Sequence, residues 1–220
     1  MHEAMWDPPR YRRLDTIPYV PTENEIDQLI AGCSRKISVF LQLLKETGIR
    51  RGESWAIRWI DLDFQTHTVR ITPEKRSQPR IFDLSNKLIA MLNNLPRNTE
   101  TIFGDGAVLD LQRTFQRQRL AHKFGNLRLK RITFHTLHHW KATMLYHQTK
   151  DILYVMQVLG HRNINNTLIY IQLEEALFKQ ETDDFICKVA STAEDAKILI
   201  EAGYEYVCDF NVDKLFLKRQ

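Results

Sequence analysis

Cysteine is scarce in this chain. Cys33, Cys187 and Cys208 are the only three in 220 residues, they stand far apart, and no C-x-x-C pair occurs. That pattern argues against a disulfide framework or a cysteine zinc site and suggests a reducing compartment. No apolar run is long enough to span a bilayer. The opening MHEAMWDPPRYRR lacks the apolar core of a secretory signal. The expectation is a cytoplasmic protein with no membrane partner. Internal repeats, low-complexity tracts and the H-E-x-x-H pattern of metalloproteases are also missing.

What is present is an ordinary globular composition, 43% apolar and 26% charged. The net charge of +4 hides an asymmetry. Residues 173–220 carry 6 Lys/Arg against 11 Asp/Glu, a net of −5, and residues 1–172 carry 25 against 16, a net of +9. A basic body with an acidic tail is compatible with a polyanionic partner, although many basic domains bind no nucleic acid.

Along the chain, residues 1–21 are rich in Pro, Arg and Tyr and read as an extended linker. Thr22-x-x-Glu25 is a capping box, followed by Ile26, Leu29 and Ile30 at helical spacing. A second helix is expected from Lys36 to Thr47, stopped by Gly48. A third is expected near Gly52, with Trp55 and Trp59 along one side. Extended segments follow at Asp61–Phe64, Thr68–Thr72 and Arg80–Leu84, then helices at Ser85–Leu95, 108–122, His135–Gln148 and Ile152–Leu159. After about Asp183 the pattern becomes strand, capped helix and hairpin. The fold class is mainly α with a small antiparallel β-sheet, plus a small C-terminal β-α-β-β appendage. The domains would be a body at 22–180 and an appendage at 181–220, the latter too small to stand alone with ease.

Four clusters carry possible chemistry. Thr47-Gly48-Ile49-Arg50-Arg51-Gly52-Glu53 presents a Gly-flanked arginine at a helix start, suited to an oxyanion. Lys75 lies in the loop of the expected hairpin. His135 and His138 share a helix face at i, i+3. Leu159-Gly160-His161 is followed nine residues later by Tyr170. Each has a plain structural reading: an exposed turn, a solvated lysine, a half-buried tyrosine.

Taken in order, the clusters resemble the tyrosine recombinase (phage integrase) family over roughly residues 20–178, and the phrasing FHTLHHWKAT…TKDILYVMQVLGH looks most like archaeal integrases. The resemblance implies the tyrosine recombinase catalytic-domain fold and site-specific DNA recombination or integration through a 3′-phosphotyrosyl intermediate. Arg50 would hold the phosphate, Lys75 would protonate the leaving oxygen, and His135 would contact phosphate and accept the tyrosine proton. His161 would bond the phosphate, Tyr170 would be the nucleophile, and Glu53 would orient its neighbours. No cofactor is implied, since the bond energy stays in the covalent intermediate. The implied partners are double-stranded DNA and further copies of the chain, as a tetramer on DNA. The resemblance also implies a preceding helical module that clamps the DNA, and this chain opens in what would be the linker after it.

One box departs from the family. Its His-x-x-Arg is here His135-x-x-His138. An imidazole with an ordinary pKa of about 6.5 cannot give the bidentate contact of a guanidinium. Strand exchange is therefore expected to be impaired. Arg80, Arg128, Lys130, Arg131 and Lys141 are the expected DNA contacts, with Arg113, Arg117 and Arg119 as further phosphate contacts. Three other readings compete: a catalytically weak or inactive DNA-binding remnant or regulator of a full-length integrase, a metal site on His135, His138, His139 and His161, and a helical interaction module.

Overall fold

Thr22 starts the first helix by satisfying its exposed amides. A computed structural model of the chain describes residues 17–74, 77–121, 126–178, 185–210 and 213–219. In it the Glu25 N–H donates to Thr22 Oγ1 at 3.3 Å and the Thr22 N–H donates to Glu25 Oε2 at 2.8 Å. This reciprocal pair opens α1 (Glu23–Gly32), which buries Ile26, Leu29 and Ile30. The long α2 (Arg35–Thr47) follows and is buried along most of its length. It ends on Gly48 at φ +66°, a left-handed cap that favours glycine.

The centre of the core is an aromatic cluster on α2. Phe40 lies 4.8 Å from both Phe103 and Phe134, and Phe134 stacks on Phe115 at 4.8 Å. Phe40, Phe103 and Phe115 are essentially inaccessible. Such packing fixes the relative positions of α2 and the elements that carry Phe115 and Phe134.

The next helix, α3 (Arg51–Trp55), is a single short segment. Trp55 and Trp59 do not share a helix, contrary to expectation. The chain straightens at Ile57 because residues 57–59 pair with 100–102: Ile102 N–H donates to Ile57 O at 3.0 Å and Trp59 N–H donates to Glu100 O at 3.1 Å. Trp59 then begins a 3-10 turn, under the guanidinium of Arg97.

Strands β1 (Leu62–Asp63), β2 (Thr68–Ile71) and β3 (Arg80–Asp83) form an antiparallel sheet in that order. Alternation along β2 turns Val69 and Ile71 into the core. The helices α4 (Asn86–Asn93), α5 (Val108–Ala121), α6 (Phe134–Thr149), α7 (Ile152–Leu159) and α8 (Ile169–Phe178) complete the series. Side chains of Ser85, Thr133 and Asp151 cap α4, α6 and α7.

The chain divides into two compact units, residues 1–174 and 175–220. The second contains β4 (Phe185–Ala190), α9 (Ala193–Glu201), β5 (Glu205–Phe210) and β6 (Asp213–Arg219). Its sheet is antiparallel with β6 in the middle, and its small core is Ala190, Leu199 and Phe216. The architecture is thus mainly helical with small antiparallel sheets, as expected from the sequence. Among the described residues, no helix is long and apolar enough to cross a membrane.

Of the described residues before Thr22, Tyr19 is anchored. The Tyr19 hydroxyl donates to Glu25 Oε2 at 3.2 Å and accepts from Arg128 Nε at 3.2 Å. The Arg131 guanidinium lies 4.2 Å from the Tyr19 ring centre.

Candidate active site

The loop from Gly48 to Glu53 places the first cation. Arg50 caps α3, with its backbone N–H donating to Glu53 Oε2 at 3.0 Å. Glu53 is fully buried, and its other oxygen pairs with Arg80 Nη2 and lies 3.9 Å from Arg50 Nη1. A buried carboxylate with these partners holds the Arg80 guanidinium and stands beside that of Arg50.

Arg80 is where the sequence reading needs correction. It was expected to face DNA, yet its side chain is 7% exposed. Besides the Glu53 pair, its Nη1 donates to the Val158 carbonyl at 3.3 Å. Ser77 Oγ donates to the Gly160 carbonyl at 3.3 Å. Arg80 therefore ties the β2–β3 hairpin to the end of α7 and to Glu53, because a buried guanidinium needs a buried counter-charge. The hairpin residue Lys75 lies outside the described residues.

The segment starting α6 brings three imidazoles together. His135 and His138 stack with ring centres 5.5 Å apart, His135 and His139 meet edge-on at 4.3 Å, and His138 is 5.6 Å from His161. His138 is buried and its Nδ1 bonds the carbonyl of Gly48. A carbonyl only accepts, so Nδ1 carries the proton. Burial holds the His138 pKa well below its ordinary value, despite the Gly48 carbonyl. In the neutral ring Nε2 is then a lone-pair acceptor.

His161 is also buried, and its Nδ1 lies 2.9 Å from Thr167 Oγ1. Its pKa is lowered to about 4, by burial first and then by Arg50 and Arg80. His135 is exposed, and its pKa is lowered by surrounding protein first, then by Arg50 and Arg51.

Tyr170, near the start of α8, is 1% exposed. Its hydroxyl lies 3.2 Å from Nδ1 of His139. Burial raises the phenol pKa, with the Arg50 charge acting in the opposite direction. Burial also lowers the His139 pKa to about 4. A protonated phenol beside a neutral imidazole is compatible with the hydroxyl donating to Nδ1 in the tautomer that carries its proton on Nε2. The sequence assigned the tyrosine's partner as His135; the structure puts His139 there. The signal was present, since His139 is i+4 from His135 and so shares its face. Glu174 steadies α8 from below, bonding His147 Nδ1 at 2.7 Å and the Lys150 ammonium.

A cavity of about 440 Å³ opens beside this cluster, lined among others by Arg50, Arg51, Gln112, Arg119, His135 and His138. Lys141 is not part of it. Its stem packs across Gly48, and it lines a separate cavity with Glu46, Arg70 and Tyr154. Arg128 pairs with Glu25 at 2.8 Å as well as with Tyr19, so it and Arg131 are already engaged, while Lys130 beside them is exposed. Among the described residues, no group of His, Cys, Asp or Glu is arranged to hold a metal ion.

The mainly helical architecture with small antiparallel sheets matches that of tyrosine recombinase catalytic domains. The crystal structure of XerA recombinase superposes with a TM-score of 0.61 at 20% identity, over 76% of this chain and 67% of that one. The XerH site-specific recombinase bound to difH substrate in a pre-cleavage complex gives 0.57 at 21% identity, over 75% and 54%. The chain belongs to the phage integrase family, whose model matches residues 20–176. A tyrosine recombinase of Pseudothermotoga lettingae is 30% identical over 188 residues, which is 82% of this chain but only 63% of the relative's length.

Proposed function

We propose that this chain carries the strand-cleaving half of a site-specific DNA recombinase, working through a 3′-phosphotyrosyl intermediate at reduced rate. The observation that carries the reading is the Tyr170 hydroxyl bonded to His139 in the same cluster as Arg50, His135 and His161.

In this reading a scissile phosphate enters the cavity beside Arg50. Tyr170 Oη attacks phosphorus and the bond from phosphorus to the 5′-oxygen breaks. The phenol proton passes to Nδ1 of His139, which the phosphate's negative charge makes more basic. Lys75 supplies the proton for the departing 5′-hydroxyl. A partner 5′-hydroxyl later reverses the same steps, and the phosphodiester energy is conserved. Arg50 and His161 hold the non-bridging oxygens, His161 once the same charge has raised its pKa. The DNA partner is supported by the likeness to XerH bound to difH, and by the basic balance of residues 1–172. Assembly as a tetramer on DNA, action inside the cell and archaeal kinship belong to the same proposal, the last supported by the wording of residues 134–161.

The neutral His138 favours a second reading, a DNA-binding remnant or regulator without catalysis. Trapping on nicked duplexes decides between them. Duplexes tiling the DNA around the protein's own gene are incubated with the full chain in EDTA and resolved on denaturing gels. The recombinase reading expects a covalent adduct that disappears in Tyr170→Phe and rises at least about tenfold in His138→Arg, since lost oxyanion donors cost roughly 10²–10³ in rate. Retained duplex binding with no adduct from either protein would leave the remnant reading.

A further inference from the structure

A phosphate in the cavity meets one guanidinium, that of Arg50, at the position the family motif provides. The other motif position holds His138, neutral and committed to the Gly48 carbonyl. Phosphoryl transfer without a metal needs charge on more than one side of the phosphorus. The second cation has to come from elsewhere in the cavity wall.

We propose that Arg119, carried on α5, supplies the second guanidinium of the phosphate site in place of position 138.

Three observations carry this. Arg119 lines the same cavity as Arg50, His135 and His138. It is half-buried with no carboxylate partner among the described residues, and its Nε is buried without a hydrogen bond. Among the described residues, its Nη1 donates to the Ile132 carbonyl and its guanidinium lies 5.7 Å from the Phe115 ring centre. Two other buried cations of the first unit, among the described residues, answer carboxylates. Arg80 answers Glu53, and Lys45 answers Glu23 and Asp27 at 2.8 and 2.7 Å. A guanidinium withdrawn from water without a counter-charge is a cost to the fold. That cost is relieved when an anion enters. Burial alone lowers the Arg119 pKa, which is the signature of an uncompensated charge.

The competing cations are less suited. Arg51 lines the cavity too and, like Arg119, gives Nη1 to a neutral acceptor, here Gln112 Oε1, but it has no buried unbonded Nε as Arg119 has. Lys141 lines a different cavity. Arg119 is carried by α5 and Arg50 stands at the start of α3, so the two guanidinium groups lining the cavity come from different elements. The arrangement suits a phosphate whose non-bridging oxygens are met by two planar donor forks.

The inference rests on reading this cavity as the seat of the scissile phosphate, and its test is independent of strand cleavage. Inorganic phosphate is titrated into the full chain against chloride at matched ionic strength. Affinity is measured by calorimetry and by the phosphate-dependent rise in melting temperature. Wild type should bind phosphate, with Arg50→Gln and Arg119→Gln each weakening it at least about tenfold. Arg119→Lys keeps the charge and the fold, and should retain part of the affinity. Arg51→Gln should change it little.

An unchanged phosphate response in Arg119→Gln overturns the proposal. So does wild type that shows no phosphate response, or a response lost in Arg51→Gln but kept in Arg119→Gln. If Arg119→Gln fails to fold, Arg119→Met is read in its place, with the same expected loss. A Tyr170 adduct alongside an Arg119-independent response sinks this inference and leaves strand cleavage standing. Arg119-dependent phosphate binding without any adduct does the reverse.

Discussion

Nδ1 of His139 and the phenol oxygen of Tyr170 lie 3.2 Å apart, and this contact joins α6 to α8 at the point where the family's chemistry begins. In the proposed reaction the His139 imidazole would aim the Tyr170 hydroxyl and receive its proton as the new bond to phosphorus forms. His139→Ala should slow adduct formation on a nicked duplex by about 10²-fold, the usual worth of a positioned base. His139→Gln keeps an acceptor and should lose less. Duplex affinity, measured in parallel by anisotropy, should hold in both variants. An unchanged adduct rate in His139→Ala would mean that the contact is packing only.

The histidine cluster also makes the fold sensitive to acid. His139 and His161 are each lowered to about 4, and His135 and His138 are lowered as well. A depressed histidine pKa means that the unfolded chain binds more protons between the folded value and the ordinary one near 6.5. Stability therefore rises with pH across that window and falls as pH drops from about 6.5 towards 4. After allowing for solvent contact, His139 and His161 should each cost on the order of 1 kcal/mol at pH 5. Urea melts at pH 7.5 and pH 5 should show the loss, and the double variant His139→Gln/His161→Asn should flatten it. A profile equally steep in the double variant would assign the acid sensitivity to other groups.

Much of the frame was legible because it rests on local signals. The Thr22–Glu25 box opened α1, Gly48 closed α2, and the strict alternation of Thr68–Thr72 marked β2. Spacing also brought Arg50, His135, His161 and Tyr170 to one place. What could not be read depended on distant partners. Nothing near Arg80 in the chain reveals that it answers Glu53, 27 residues away, so it looked like a DNA contact. Trp59 left its helix because of a pairing with residues 100–102. Arg119 sits among other arginines on α5, and only the packing shows that it turns into the cavity.

The Glu53–Arg80 pair should behave as a buried couple. Both side chains are withdrawn from solvent, at 0% and 7% exposure. Glu53→Gln leaves the Arg80 guanidinium without its counter-charge, and should cost about 3–5 kcal/mol. Arg80→Met removes the charge that Glu53 was answering and should cost a similar amount. The double variant should be less damaged than the sum, with a coupling above about 1 kcal/mol in urea melts. Additive losses would show that the two do not act as a unit. Arg80→Met should also leave the salt dependence of duplex binding unaltered, since a phosphate contact would lower that slope by about one.

Gly160, in the Leu-Gly-His box, is held by two separate constraints. Its φ of +67° lies in the left-handed region, where a side chain costs roughly 1–2 kcal/mol. An added Cβ would also stand 2.7 Å from Arg80 Cζ, Arg80 Nη1 and Ser77 Oγ. Flexible side-chain tips usually yield to such a contact, but the Arg80 tip is pinned by Glu53 and by the Val158 carbonyl. Gly160→Ala must therefore displace a buried ion pair as well as strain the backbone. Gly104 separates the two effects, since its φ is +99° and an added Cβ there meets only Lys36 Nζ at 3.7 Å. In urea melts Gly104→Ala should show the backbone cost alone, and Gly160→Ala should exceed it by at least about 1 kcal/mol, the worth of a disturbed buried charge pair. If Arg80→Met is introduced first, the excess at Gly160 should shrink, because the obstructing guanidinium is gone and only Ser77 Oγ remains in the way. Equal losses at the two glycines would mean that the arginine moves aside freely, and the tie between the hairpin and the His161 loop would then be weaker than its contacts imply.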